Sequence, residues 1–197
     1  MTIYAYDTEF IEHSVYVGIW PFGRRVRTIE LISIGIVAED GREYYAVNAD
    51  MPVRAIRRHE WLVKNVVPSL PRIHGDRRNH LPNGDLGIDF NSPLVKPHAI
   101  IAEEVREFLL SGAGATGGMY DRIQAWADFG SYDHVALCWL WGAMVDLPEG
   151  LPMTTFDLQQ ASVMFGRGIF AQESGQHNAL EDARHVMRVL RLWRFAR

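Results

Sequence analysis

Asp7 and Glu9 stand two residues apart in Tyr6-Asp7-Thr8-Glu9-Phe10, at the end of the apolar run Ile3-Tyr4-Ala5-Tyr6. That run has the composition of a strand, and strand side chains alternate, so the two carboxylates share one face while Thr8 and Phe10 share the other. Two anions held side by side repel unless a cation or a shared proton offsets them, which points to a divalent-metal site. Taken alone, the same pair also fits a solvated strand end.

A second cluster lies near the far end of the chain, in His177-Asn178-Ala179-Leu180-Glu181-Asp182-Ala183. Ala179, Ala183, Val186, Leu190 and Trp193 keep helical spacing, which makes this the last helix. Asn178 is a good N-cap, and Glu181 three residues on suits a capping box, so Ala179 is the first helical residue. In that register His177 lies just outside the helix and Asp182 at its fourth position, the two places that meet in a staple arrangement. An imidazole and a carboxylate are thereby expected at one spot. A histidine before a helix beside an ordinary surface Asp is the plainer reading of these residues alone.

Between the two clusters, Arg122 to Phe129 alternates Ile123, Ala125, Ala127 and Phe129 as a core strand does, and a helix is expected to start at Ser131. Asp133 then falls in the first turn of that helix, where backbone N–H groups and the positive helix end favour a charged carboxylate. Asp128, at the strand end, is an equal candidate on these grounds.

Together with Asp7, Glu9 and the intervening Asp of Phe129-Gly130-Ser131-Tyr132-Asp133-His134, the terminal motif resembles the DEDDh 3′–5′ exonucleases of the ribonuclease H-like fold. Longer blocks, Tyr6 to Glu12, Thr28 to Gly35, Val37 to Val47 and Tyr132 to Cys138, are similar to the actinobacterial polyadenylate-specific exoribonucleases, the RNase AS family. The resemblance implies an α/β ribonuclease H-like fold with a mixed central sheet flanked by helices. It implies Asp7, Glu9, Asp133 and Asp182 as ligands of two Mg²⁺ or Mn²⁺ ions, and His177 as the general base. It selects Asp133 over Asp128. The implied activity is hydrolysis of single-stranded RNA from its 3′ end with a preference for poly(A), by a homodimer. A related nuclease acting on DNA or short oligoribonucleotides, and a non-catalytic nucleic-acid-binding module, are the alternatives, and the intact acidic set argues against the second. Phe10, or an aromatic of a neighbouring loop, is the candidate to stack the terminal base. One departure stands out: His13 to Arg27 makes a longer link between the first two strands than the family leads one to expect.

The elements that must position these residues follow from the rest of the chain. At 197 residues, 48% of them hydrophobic, it is expected to form one domain over 1–197. No run of apolar residues is long enough to span a bilayer and the start leads straight into a strand, so a cytoplasmic protein without membrane contact is expected. The lone Cys138 sits in an apolar stretch, which suits burial rather than thiol chemistry. A net charge of -4 excludes a broad basic face for nucleic acid but suits a small site in which cations supply the charge complementarity.

His13 to Arg27, with Trp20-Pro21-Phe22-Gly23 and Arg24, Arg25 and Arg27, reads as a loop or an extended hairpin tip whose arginines could face phosphate. Thr28 to Val37 and Glu43 to Val47 read as an antiparallel hairpin around Glu39-Asp40-Gly41-Arg42. Arg54 to Val67 reads as one helix, and Ile101, Val105, Phe108 and Leu109 give the next helix its buried stripe. Pro68 to Pro97 loses all periodicity and is expected to be a functional loop or an oligomer contact. The glycines that follow Ser111 lack the lysine and spacing of a phosphate loop. Thr154 to Leu158 is expected to be a short strand before a helix reaching Phe165.

Overall fold

A computed structural model describes residues 2–19, 21–74, 85–112 and 123–195, with the side chains of the last two left out. Six strands form one mixed sheet in the order β4-β3-β2-β1-β5-β6. They are β1 (Thr2–Val17), β2 (Arg24–Ala38), β3 (Glu43–Asn48), β4 (Val95–Lys96), β5 (Ile123–Ala127) and β6 (Phe156–Asp157). The pairs β1–β2 and β2–β3 are antiparallel, whereas β4 joins β3, β5 joins β1 and β6 joins β5 in parallel. This is the expected α/β, ribonuclease H-like arrangement, with helices on both faces of the sheet.

The alternation of β1 decides which helices lie where. Tyr4 and Tyr6 join Ile34 and Ile36 in a cluster with Ile101, Val105 and Leu109 of α3 (His98–Ser111) and Ala136 and Leu137 of α4 (Ser131–Cys138). Ile3 and Ala5, on the opposite face, pack with Val37 against Ala183, Val186, Met187 and Leu190 of α6 (Ala179–Phe195) and Leu158 of α5 (Leu158–Phe165). The periodic stripe of the last helix is thus the one that lies on the sheet. Among the described residues no helix is long and apolar enough to cross a membrane.

Three expectations need correction or sharpening. The 13–27 link is an extended hairpin: pairing runs from His13↔Thr28 to Val17↔Arg24, beyond the reach of β3 and β5. The single helix expected over Arg54 to Val67 is broken into α1 (Val53–Ile56), α2 (Glu60–Asn65) and a 3-10 turn, Val67–Ser69. His59 leaves helical geometry and its Nδ1 accepts from the Leu62 N–H, so it caps a new helix. Apolar spacing alone does not show such a break. The Pro68 to Pro97 stretch falls partly outside the described residues, at 75–84. Its two legs are ordered: Arg72 bridges Ile88, and Leu70, Leu86 and Ile88 are buried with Ile11, Ile32 and Val47. The two-residue β4 was not legible because a strand that short carries no alternation.

Candidate active site

Asp7 and Glu9 leave β1 on the face that receives the start of α6, and Asp182 comes down from that helix to meet them. One oxygen from each of the three carboxylates lies within 4.8 Å of the others. The approach depends on Gly35, which pairs with Asp7 across the β1–β2 ladder. A Cβ at Gly35 would stand 2.3 Å from both the Ala179 carbonyl carbon and the Leu180 nitrogen, so the first turn of α6 rests directly on bare strand backbone. Just beyond, the ladder shifts register: Glu9 pairs with Ser33 but Phe10 with Leu31, leaving Ile32 as the extra residue of a bulge. Sequence reasoning missed both features. A glycine interrupting the β-branched run of β2 was the available signal for the first.

The start of α6 follows the expected register. Asn178 Oδ1 accepts from the N–H groups of Leu180 and Glu181 at 3.1 and 3.2 Å, and α6 starts at Ala179. The capping box is not completed, because the Glu181 carboxylate takes Arg184 Nη1 and the Asn178 N–H donates to the Gly175 carbonyl. His177 and Asp182 do meet, but through the backbone: the His177 N–H donates to Asp182 Oδ2 at 2.9 Å. Gln172 Nε2 donates to the other oxygen at 2.7 Å. The imidazole itself packs edge-on against Trp61, ring centroids 4.8 Å apart.

Asp133 reaches β1 from the other face. It sits in the first turn of α4, as expected, and is buried. Its Oδ1 accepts from both the N–H and the hydroxyl of Thr8, at 2.9 and 2.6 Å, which leaves Oδ2 as the freer oxygen. Asp133 therefore stands beside the three-carboxylate group rather than inside it. Asp128 is also close enough to act electrostatically on Asp7 and Asp133, and its Oδ1 accepts from Gln159 Nε2 at 2.8 Å. Phe10 is half-buried and lies nearly parallel to Tyr132, with ring centroids 6.1 Å apart. Tyr132 is the more exposed member of that pair.

Electrostatics of the cluster show what it lacks. Burial, then Asp133, Glu9, Asp182 and Asp128 in turn, push Asp7 well above the ordinary carboxylate range. Glu9 is raised to about 8 by burial and by Asp182 and Asp133. Asp133 is raised by burial despite the Thr8 hydrogen bonds, and Asp182 by burial despite Gln172 and His177. Among the described residues no lysine or arginine forms a salt bridge with any of these four. Hard oxygen donors, two buried and two half-buried, without a cationic side chain suit Mg²⁺ or Mn²⁺, so the residues present fit a divalent cation.

No protein-family model matches the chain. Two curated relatives, each a 3′-5′ exoribonuclease, from two strains of Mycobacterium tuberculosis, are each 39% identical over 194 residues. The match covers 96% of this chain and 91% of each relative. The chain belongs to this 3′-5′ exoribonuclease family. Membership makes it an enzyme, and an acidic cluster assembled from both ends of the chain is compatible with metal-assisted phosphodiester hydrolysis. In this exoribonuclease, chain segments 173 residues apart, at Glu9 and Asp182, supply a single cluster of donors.

Proposed function

We propose that this protein is a metal-dependent 3′–5′ exoribonuclease that shortens single-stranded RNA from its 3′ end and prefers adenosine. The observation that carries the reading is the convergence of Asp7, Glu9 and Asp182 to within 4.8 Å. In this reading Asp7, Glu9, Asp182 and the Oδ2 of Asp133 hold two Mg²⁺ or Mn²⁺ ions. Such cations, when bound, supply positive charge to the attacking and leaving oxygens of the phosphodiester.

The chain's own groups do the rest. His177, as a neutral imidazole, takes the proton of the attacking water, a role whose typical worth is about 10²–10⁴-fold in rate. Thr8 fixes Asp133, and Gln172 with the His177 N–H fixes Asp182, so each keeps a lone pair turned to the site. The Phe10–Tyr132 pair offers an aromatic surface for the terminal base. Preference for adenine must come from stacking and base-edge hydrogen bonds, and preference for RNA from a contact to the 2′-hydroxyl, because phosphate ligands read neither. A homodimer is part of the reading. Exposed Val163, Met164 and Phe165 on α5, and Phe22 at the hairpin tip, offer apolar surface to a second copy.

The test is Mg²⁺-dependent digestion of matched poly(A), poly(U), poly(C) and DNA oligomers. Fastest loss of poly(A) with 3′-to-5′ shortening is expected. Equal rates on the RNAs would remove the adenosine preference, and faster loss of DNA would favour a related deoxyribonuclease.

A further inference from the structure

His177 is held in an unfavourable backbone conformation. Its φ is +64°, a region that residues bearing a Cβ seldom occupy, and the only other non-glycine residue with positive φ among those described is Phe129. Such a conformation persists only where its surroundings impose it. Asp182 holds the His177 N–H from one side, and the α2 helix with the 3-10 turn after it holds the rest of the corner. The Trp61 ring meets the imidazole edge-on at 4.8 Å. The Ser69 hydroxyl lies 2.6 Å from the His177 carbonyl and 2.7 Å from that of Val66, and its single proton serves one of them at a time. Asn178 Nδ2 donates to the Ser69 carbonyl at 3.3 Å. Ring, carbonyl and cap residue are thus each met by Trp61 or Ser69.

We propose that Trp61 and Ser69 are positioning residues for the reaction, a clasp that holds the His177–Asn178 corner and sets the imidazole for proton transfer. The inference rests on the reading of His177 as the base. Neither residue is one of the three carboxylate ligands, and Trp61 is 49% exposed, so replacing it leaves the core intact. An untied corner relaxes from positive φ and swings the ring out of line, which slows the chemical step without weakening the hold on RNA.

The experiment is single-turnover hydrolysis of a 5′-labelled single-stranded RNA oligomer in Mg²⁺. Enzyme concentration is varied to separate maximal rate from half-saturation. Trp61→Ala should lower the maximal rate about tenfold, part of what a general base is worth, with half-saturation nearly unchanged. Trp61→Phe should recover most of the loss, and Ser69→Ala should act in the same direction. The double variant Trp61→Ala/His177→Ala should be no slower than His177→Ala alone, since two residues acting through one group are not additive. In metal-free protein, the His177 ring signals, identified by their absence from His177→Ala, should shift in Trp61→Ala as the neighbouring indole is lost and the ring is released. Additive losses, or a change in half-saturation alone, would overturn the proposal and make Trp61 an RNA contact. Unmoved His177 signals with His177→Ala inactive would overturn the clasp while leaving the base in place. Parental turnover by His177→Ala would bring down the base reading and the clasp's catalytic role with it.

Discussion

Replacing Gly35 with alanine adds one methyl group at the point where the active-site helix lies on the sheet. The new Cβ would be 2.3 Å from two backbone atoms of Ala179 and Leu180. Carbon atoms settle at about 3.5–4.0 Å, so strand and helix must part by roughly 1.2–1.7 Å. Neither contacting atom belongs to a side chain that can turn aside. Overpacking of this kind costs about 1–3 kcal/mol, which in a protein of this size lowers Tm by roughly 2–12 °C. The functional loss should be larger in proportion. Asp182 rides on the displaced turn, metal–ligand distances tolerate only about ±0.2 Å, and a 1 Å misplacement can cost about 10²-fold in rate. Melting curves with and without Mn²⁺, calorimetric Mn²⁺ titration and RNA hydrolysis on one preparation separate the two effects. Expected are a folded Gly35→Ala protein, a cation affinity lowered by an order of magnitude or more, and about 10²-fold slower turnover. Parental metal affinity and turnover would refute the claim that this contact sets the site.

Further outcomes follow from the carboxylate cluster and its surroundings. Glu9 stands at about 8 in the folded, metal-free protein against 4.5 for the free side chain. The folded state therefore holds its proton more tightly, and stability present at low pH is lost as pH climbs from about 4.5 to 8, by at most about 5 kcal/mol. Thermal melts in chelator should show Tm falling from pH 5 to pH 8, with Mg²⁺ or Mn²⁺ restoring it more at pH 8; a flat profile would contradict the burial of unpaired charge. Asp182→Asn should raise the Tm of the metal-free protein by removing repulsion while abolishing both cation stabilisation and hydrolysis, measured by the same melts and a product assay. Light scattering at working concentration should give the mass of a dimer.

Much of the site was legible because it rests on local rules. Strand alternation put Asp7 and Glu9 on one face, and the Asn178 cap placed Asp182 at the fourth helical position, where the structure has it. Less legible was anything that depends on what lies across a gap. The staple geometry suggested that ring and carboxylate meet, but His177 offers Asp182 its N–H and gives its ring to Trp61, over 100 residues away in sequence. Asp133 was placed correctly in its helix, yet that its Oδ1 belongs to Thr8 depends on the packing of α4 against β1. The break at His59 was invisible for a different reason: apolar spacing runs on across it, and a capping histidine resembles a surface one.

If Asp7, Glu9 and Asp182 form a cation-dependent exonucleolytic centre, a single gel shows it. A 5′-labelled single-stranded RNA is incubated with the protein in Mg²⁺, in excess chelator, and with Asp7→Asn in Mg²⁺. Expected are a ladder shortening one nucleotide at a time from the 3′ end in the first reaction and intact RNA in the other two. Internal cuts at early times, cleavage in chelator, or a working Asp7→Asn would contradict it.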